Sequence, residues 1–518
     1  MKKKSRTMYT TLNIISGCMG QLAQTLFNFI NRMVFARCLS KEYLGINGLF
    51  VDILSALSLA ELGIGTAIVY ELYSTLAKNN EEKTKALMDF YKKVYRVIGI
   101  CVGCIGLVLI PFLPYFIAEP PKIKESIYVI YLFYLVNTVV SYFYTYKRSI
   151  IIADQKNYIV TTVQILSRIA QDIIQILILV LTKNFILYLI CQIIMTITYN
   201  VVISRIADKM YPIIKDKNAV KLDKTDKKDL IINIKALMIR KIGGVLVSST
   251  DNIIISSVLG LVQTGLVSNY NLLSTTLNSI LGQVFNGVTA SIGNVNALES
   301  KKKKIDMFYI VNFVNFWLYG WCAVSYAVVS NDIIKVVFGA DYLIQGGVCL
   351  VVALNLYTYG MQNAIWTYRN TLGLFENGKY LALFTGIINV VLSIILGKIY
   401  GVTGILFATF LARLVTNIWY DPYSIFKYGF DEKVKSYFIR YGIMFLVVTI
   451  TYTLTYLCCL PIQNVVDNMY VVLIYKLLVC IFIPNIIFVI VYRKNKDFVY
   501  LKTKGMQMIK CGINKIKI

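Results

Sequence analysis

The sequence predicts an all-α polytopic membrane protein with about 14 transmembrane helices. Its composition, the length of its apolar segments and the placement of its charges all support this. The 518 residues are 57% hydrophobic, and 53 Lys and Arg stand against 27 Asp and Glu. A helix needs roughly 20 apolar residues to cross a bilayer, whereas barrel strands are about 10 residues long and alternate in polarity. The long, continuous apolar segments of this chain therefore predict helices.

The apolar segments follow one another with short gaps between them. We predict spans at residues 11–36, 44–73, 94–118, 126–150, 158–181, 184–207, 230–258, 264–294, 305–330, 343–368, 379–400, 402–425, 437–460 and 469–492. One set of alternate gaps and tails holds 39 Lys and Arg, among them Lys147, Arg148 and Arg369, the other set holds 7, and 7 lie within spans. Because cytoplasmic loops are enriched in Lys and Arg, this split predicts that both termini lie in the cytoplasm, an N-in/C-in topology.

The basic excess does not indicate a nucleic-acid partner. The formal net charge is +26, but the cations lie in short loops beside the spans, where orientation and anionic lipid at the cytoplasmic face explain them. The chain has no histidine, the usual general base and metal ligand, and its loops are too short for a soluble catalytic domain. We therefore expect neither a cofactor, nor a metal, nor enzymatic activity.

The chain also predicts an internal repeat. When it is aligned with itself so that its first and seventh spans coincide, the matched positions are Asn31-Arg32 with Asp251-Asn252, Leu39 with Leu259, Gly45 with Gly265, and Phe50 with Tyr270. Both copies begin on the cytoplasmic side, and proteins built this way place a binding site between their repeats. The expected divisions are a six-helix lobe (1–207), a linker (208–229), a second six-helix lobe (230–428), two additional helices (429–492) and a basic cytoplasmic tail (493–518).

Several charged residues fall inside the predicted spans. A charge at the centre of a bilayer costs about 2.5–3.5 kcal/mol, so it normally faces protein or a water-filled cavity. Lys235 and Lys476 lie near span ends, where they are expected to snorkel. The others are Arg32, Asp52, Glu61, Arg168, Asp172, Arg240, Lys241, Asp251 and Arg413.

Polar stripes at helical spacing accompany these charges. One stripe runs through Gln164, Arg168, Gln171 and Gln175, and others lie in the first, seventh and tenth spans. Hydrogen bonds between helices, or an i,i+4 pair of Arg168 with Asp172, would also explain a single stripe. Four stripes favour a shared hydrophilic cavity. The candidate substrate-binding residues are Arg32, Arg168, Arg240, Lys241, Arg413, Asn28, Gln164, Asn355 and Gln362.

The balance of charge in this cavity favours an anionic substrate. Arginine suits bidentate recognition of phosphate, so the basic interior predicts a phosphate-bearing cargo. The embedded acids leave a second option, a coupling site for Na⁺ or H⁺. The candidates for ion coupling are Glu61, Asp172 and Asp251.

Two segments resemble a known family. Residues 32–73, with RMVFARCLSKEYLGINGLF at their start, and residues 368–380, YRNTLGLFENGKY, resemble the polysaccharide repeat-unit flippases of O-antigen or capsule type. These flippases belong to the multidrug/oligosaccharidyl-lipid/polysaccharide exporter superfamily. The sequences of the two segments resemble those of its capsule and exopolysaccharide members from Gram-positive bacteria. The resemblance implies two six-helix bundles around a cavity and a location in the bacterial plasma membrane.

The resemblance also implies a substrate and partners. The cargo would be an oligosaccharide on undecaprenyl pyrophosphate, flipped to the outer leaflet, with a polysaccharide polymerase and glycosyltransferases as partners. Two alternatives within the superfamily are a flippase for the lipid-linked cell-wall precursor and a cation-coupled multidrug exporter. A third, a membrane polymerase or glycosyltransferase, would usually carry a large outer loop or an acidic catalytic motif.

Overall fold

The computed structural model describes residues 6–58, 64–215, 222, 244–245, 249–374, 377–378, 380–504 and 507. Helices dominate these residues, and no β-strand occurs among them, so the predicted all-α class is confirmed. The α-helices in chain order are α1 (Arg6–Cys38), α2 (Lys41–Leu57), α3 (Ile64–Ala77), α4 (Glu81–Val108), α5 (Ile127–Ala153), α6 (Asn157–Thr182), α7 (Phe185–Met210), α8 (Thr250–Leu259), α9 (Leu261–Leu298), α10 (Lys301–Phe338), α11 (Val348–Thr371), α12 (Leu381–Leu414), α13 (Asn417–Ser424), α14 (Lys435–Val465) and α15 (Met469–Tyr492).

Many of the helices have the length and composition of membrane spans. Among the described residues, seven helices are long and apolar enough to cross a membrane, and nine when two bent helix pairs each count as one span. The count of 14 spans and the N-in/C-in orientation stay predictions. So does the division into two lobes, a linker and two additional helices, since much of the linker region lies outside the described residues.

Helix α4 ends earlier than the predicted third span. The sequence predicts a continuous span over 94–118, but α4 ends at Val108, and a 3₁₀ helix, Ile110–Phe116, follows at an angle of 64°. Pro111 and Pro114 lie in this second segment. Because proline has no backbone N–H to donate, the α-helical hydrogen bonding does not continue through it.

One compact unit comprises residues 1–268 and 380–405. Within it, α1 packs on α6, and α5 packs on both α4 and α7. The core between α3, α4, α5 and α7 includes Leu72, Tyr91, Ile98, Ile150 and Ile203, all buried. These helices therefore have a fixed packing against one another, which matters for the site described below.

The second compact unit comprises residues 269–379 and 406–518. Its central helix, α10, packs against α11, α14 and α15. Lys476 of α15, expected to snorkel, is instead 4% exposed and pairs with Asp332 of α10 at 2.7 Å. The outer surfaces of α14 and α15 expose large apolar side chains, among them Ile443, Leu446 and Phe482. Lipid tails are as apolar as these side chains, so this surface suits a bilayer.

The helix boundaries reproduce the predicted repeat. Helices α2 and α9 begin at positions 41 and 261, and α4 and α10 begin at 81 and 301, so both pairs keep the offset that aligns Gly45 with Gly265. The starts of α5 and α11, at positions 127 and 348, depart from that offset by a single position. Two pairs of helices thus keep the offset seen in the sequence, and a third keeps it to within one position, which supports the repeat.

Helix α12 contains a sharp reversal at Gly401, where the sequence predicts a boundary between two spans. Gly401 has φ 59° and ψ −141°, a conformation that only glycine adopts readily. We expect Gly401→Ala to lower the free energy of unfolding by about 1–3 kcal/mol because alanine is strained there. The measurement is the thermal unfolding midpoint in detergent. Gly442→Ala is the matched control, since Gly442 is helical and has open space around it; equal midpoints for the two variants would contradict the prediction.

Candidate functional site

A polar cavity lies among helices α5, α6 and α7 of the first unit. Its volume is about 360 Å³, within the range of ~300–1,000 Å³ typical of ligand pockets. Each helix supplies a stripe of side chains at spacings of three or four residues, which places them on one face. The polar residues are Asn137, Thr138, Ser141, Tyr142, Thr145 and Arg148 from α5; Gln164, Ser167, Arg168 and Gln171 from α6; Gln192, Thr196, Tyr199 and Asn200 from α7; and Ser58, which follows α2.

Two arginines give the cavity its charge. Arg148 and Arg168 both line it, and none of the described lining residues carries a carboxylate. Arg148 lies close enough to the Tyr199 hydroxyl to interact with it electrostatically. Since neutral amides and hydroxyls make up the remaining polar lining, the site is suited to an anion that also carries hydroxyl groups.

Hydrogen bonds between α5 and α7 hold the cavity walls. Thr196 donates its hydroxyl to the side-chain oxygen of Asn137 at 2.8 Å. Lys147 donates its Nζ to Asp208 and to the Ser204 hydroxyl, each at 2.8 Å. Consecutive residues on a helix point in different directions, so Lys147 can bind α7 while its neighbour Arg148 lines the cavity. The ion pair therefore positions the end of α5 that bears Arg148.

A buried acid lies next to this cavity. Asn31 of α1 donates one amide group to Asp172 at 2.7 Å and to Gln175 at 3.2 Å, both on α6. Gln175 in turn donates to the backbone carbonyl of Tyr188 at 3.2 Å. Asp172 is 4% exposed, and within the described part of the chain it forms no salt bridge within 4 Å. The i,i+4 pair with Arg168 considered above is not a direct contact, although Arg168 is close enough to act electrostatically on Asp172.

The other predicted residues of the first unit are more dispersed. Arg32 of α1 donates to the Ser268 hydroxyl, and Asn28 is exposed on the same helix. Asp251 lies in the first turn of α8. Beside it, Asn252 donates to Asp52 at 2.8 Å. Glu61, Arg240 and Lys241 lie outside the described residues.

Three predicted residues belong to the second unit. The Arg413 guanidinium lies over the ring of Tyr359, 5.2 Å from its centroid. Asn355 donates to the backbone carbonyl of Leu406 at 2.8 Å. Gln362 is 2% exposed, and neither of its amide atoms has a hydrogen-bond partner among the described residues. Their roles in substrate binding stay predictions.

The family-like segment 368–380 is organised by an ion pair. Arg369 of α11 binds Asp421 of α13 at 2.5 Å and also donates to the backbone carbonyls of Leu374 and Asn377. Asp421 is fully buried and also accepts from the Asn417 amide at 3.1 Å. Arg369 is counted above among the loop cations that orient the protein in the membrane. Its contacts show that it also stabilises the structure of this loop.

Sequence reasoning missed Arg148 and two of the three stripes. It assigned Arg148 to a basic gap at the end of the fourth span, whereas α5 continues to Ala153. A signal was present in the regular spacing of Asn137, Ser141 and Thr145 within an apolar helix, and Gln192, Thr196 and Asn200 repeat it in α7. Only the three-dimensional arrangement shows that these stripes face the α6 stripe.

A family model decides the identity of the chain. The model of the family described as "Polysaccharide biosynthesis protein" matches residues 11–292, more than half of the sequence. The chain belongs to this family. It is thus a relative of the polysaccharide biosynthesis proteins, as residues 32–73 indicated, and the matched range contains the whole α5–α7 cavity. No protein of curated function matches the sequence.

Solved structures of membrane transporters share the fold of this chain. A structure of the lipid II flippase MurJ in an inward closed conformation superposes with a TM-score of 0.61 at 16% identity, covering 93% of this chain and 99% of that one. An inward-facing multidrug resistance MATE family transporter of the MOP superfamily gives 0.58 at 12% identity, covering 80% and 98%. A point mutant of the Vibrio cholerae MATE transporter VcmN gives 0.53 at 14% identity, covering 83% and 98%.

Proposed function

We propose that this protein flips a lipid-linked oligosaccharide repeat unit from the cytoplasmic to the outer leaflet of the bacterial plasma membrane by alternating access. The cargo would be carried on undecaprenyl pyrophosphate and would serve capsule or exopolysaccharide synthesis. The observation that carries this proposal is the α5–α7 cavity, in which two arginines and many neutral polar groups meet. Membership of the polysaccharide biosynthesis family and the fold shared with a lipid II flippase support it.

Each part of the cavity matches one part of such a cargo. Arg148 and Arg168 would bind the pyrophosphate, since guanidinium groups form paired, charge-assisted hydrogen bonds with phosphate oxygens. The amides of Gln164, Gln192 and Asn200 would bind sugar hydroxyls. Outward movement of the anionic headgroup is favoured by an inside-negative potential, by about 2.3 kcal/mol per charge per 100 mV.

Other embedded residues are proposed to add contacts along the route of the cargo. These are Arg32, Arg240, Lys241, Arg413, Asn28, Asn355 and Gln362. The basic loops would contact anionic lipid at the cytoplasmic face. The glycosyltransferases that build the repeat unit and the polymerase that extends it are the proposed functional partners.

The similarity to the lipid II flippase favours a second candidate, the lipid-linked cell-wall precursor. That flippase covers 93% of this chain. Both cargoes are anionic and carry sugars, so the cavity suits either. A cation-coupled multidrug exporter fits less well, because a cationic drug would meet the positive charge of Arg148 and Arg168 in a cavity whose described lining has no carboxylate.

Deletion and complementation test the function in cells. We expect a strain that lacks the gene to lose surface polysaccharide and to accumulate lipid-linked repeat units inside, with both defects reversed by the gene on a plasmid. Normal surface polysaccharide in the deletion strain, with loss of cell-wall synthesis, would favour the cell-wall precursor. Normal levels of both would overturn the flippase proposal.

Of the three candidates for ion coupling, Glu61, Asp172 and Asp251, we test Asp172 first, because its neighbour Gln171 lines the cavity. Its carboxylate is buried with an amide donor and no direct cationic partner among the described residues, so it would bind Na⁺ or H⁺ more readily than a paired acid. We expect Asp172→Asn, which can still accept from Asn31, to preserve folding but to remove the dependence of flipping on an ion gradient. The measurement is flipping in inverted vesicles with and without Na⁺ and proton gradients, with Gln175→Asn as the control variant. A retained gradient dependence in Asp172→Asn would contradict this role.

A further inference from the structure

An apolar pocket lies where the chain passes from α4 to α5. Its volume is about 350 Å³, within the range of ~300–1,000 Å³ typical of ligand pockets. The lining residues are all apolar or aromatic, and they are Leu113, Pro114, Ile117, Pro120, Pro121, Ile127 and Tyr128. Three of the seven are prolines, which have no backbone N–H to donate. This pocket, which we call the junction pocket, therefore suits a hydrocarbon ligand.

Hydrogen bonds hold the walls of the junction pocket in place. The Ser256 hydroxyl of α8 donates to the carbonyl of Phe116 at 2.7 Å, and the amide of Ala118 donates to the carbonyl of Ser256 at 3.0 Å. Close to the start of α5, the Tyr43 hydroxyl of α2 bonds to Glu125. A ligand therefore meets a preformed site, and its binding does not have to offset the entropy of ordering a loop.

The junction pocket continues an apolar surface of the protein. Helix α4 exposes Val97, Ile100 and Val108, each by more than half of its surface. Helix α5 exposes Val129, which directly follows the lining residue Tyr128. Exposed apolar side chains on the helices of a membrane protein contact lipid tails, which are equally apolar. Lipid hydrocarbon is therefore the material that lies next to the pocket.

The rim of the junction pocket carries lysine and tyrosine. Lys122 and Lys124 follow the lining residue Pro121, both are exposed, and neither forms a salt bridge in the part of the chain that the structure describes. Tyr115 is 79% exposed, as expected of a tyrosine at a membrane–water boundary. Glu119 is exposed as well. Because lysine binds phosphate as a point charge, the rim offers two cations to a phosphate group beside a pocket for a chain.

We propose that the junction pocket binds an acyl chain of a glycerophospholipid, whose phosphate is bound by Lys122 and Lys124. Phospholipid is the bulk lipid around the exposed faces of α4 and α5, and its chain and phosphate match the two parts of the site. The charge pattern of the loops predicts that this lipid belongs to the outer leaflet. The pocket shares no lining residue with the α5–α7 cavity, so the proposal does not depend on the flippase function.

Native mass spectrometry of the full chain tests the site. The protein would be stripped of lipid in detergent and titrated with phosphatidylglycerol. We expect saturable binding of one molecule. Binding should be about tenfold weaker for Ile117→Trp, because the larger side chain fills the pocket, and about tenfold weaker for Lys122→Gln/Lys124→Gln, because each lysine attracts the anionic headgroup. A short-chain phosphatidylglycerol, which keeps the headgroup, should also bind about tenfold more weakly.

Matched control variants carry the same changes at exposed residues that do not line the pocket. Ile399→Trp and Lys335→Gln/Lys398→Gln should both bind phosphatidylglycerol as the unaltered protein does. The thermal unfolding midpoint shows whether Ile117→Trp is folded, and if it is not, the short-chain lipid decides whether the chain is bound.

Three results would overturn the proposal. The first is the absence of saturable binding by the unaltered protein. The second is equal binding by each test variant and its control, or equal binding of the short-chain and long-chain lipids. The third is an isoprenoid lipid, in place of phospholipid, retained by the protein when it is purified from its membrane.

Discussion

Replacing either Arg148 or Arg168 with alanine is expected to lower export of lipid-linked oligosaccharide by about tenfold or more, and the double replacement by about 100-fold or more. Each guanidinium would make hydrogen bonds with phosphate, and a hydrogen bond to a charged group contributes about 1.5–3 kcal/mol. The cavity holds no other described cation that would take over this role. The measurement is surface polysaccharide in a strain lacking the chromosomal gene, normalised to the amount of protein in the membrane.

Two control variants separate substrate binding from general effects of charge. Arg96 is exposed on α4 and does not line the cavity, so Arg96→Ala should leave export unchanged. Arg168→Lys keeps the charge but loses the paired geometry of the guanidinium, so it should fall between the alanine variant and the unaltered protein. Full export by both alanine variants at normal protein levels would refute the assignment of the pyrophosphate to this cavity.

Loss of the Arg369–Asp421 ion pair is expected to cause the largest fall in stability. Removing Arg369 leaves the carboxylate of Asp421, which is 0% exposed, without its cation. Removing one partner of a buried pair typically costs about 3–5 kcal/mol, and we expect a loss of this size for Arg369→Ala. The variant also loses the bonds to the carbonyls of Leu374 and Asn377, so the loop after α11 loses its anchor.

Thermal unfolding in detergent checks this prediction. Lys303→Ala serves as the matched control, because its pair with Glu299 is exposed and such pairs contribute about 0–1 kcal/mol. The double variant Arg369→Met/Asp421→Leu should unfold at a higher temperature than Arg369→Ala, since it leaves no unpaired buried charge. An unfolding midpoint of Arg369→Ala equal to that of Lys303→Ala would contradict the role assigned to the pair.

Much of the helical framework follows from local features of the sequence. The sequence predicts a boundary between two spans at Gly401, because the apolar segments on either side together exceed the length of one span. The positive φ of Gly401 explains why the break falls at this residue. The match of Gly45 with Gly265 was visible as a sparse repeat. The structure adds a physical reason for it, since the backbone of Gly45 packs against the carbonyl of Leu261 and the backbone of Gly265 packs against that of Lys41.

The candidate site is only partly predictable from the sequence. The position of a charged residue along the chain does not show in which direction its side chain points. Lys147 and Arg148 are adjacent and both read as loop cations, yet one pairs with Asp208 and the other lines the cavity. Asp172 has a potential partner four residues before it, but its direct donor is Asn31, 141 residues away. Such contacts depend on how α1, α5, α6 and α7 pack, which a single sequence does not specify.

Flipping by the purified protein in proteoliposomes tests the central claim most directly. The vesicles would carry labelled undecaprenyl-pyrophosphate oligosaccharide in one leaflet, and an impermeant enzyme or lectin would detect its arrival in the other. We predict that the unaltered protein transfers the lipid far faster than protein-free vesicles, and that the Arg148→Ala/Arg168→Ala protein transfers it about 100-fold more slowly than the unaltered protein. Folded protein would be given a membrane potential and gradients of Na⁺ and protons. The claim would be contradicted if it then transferred the lipid no faster than protein-free vesicles do.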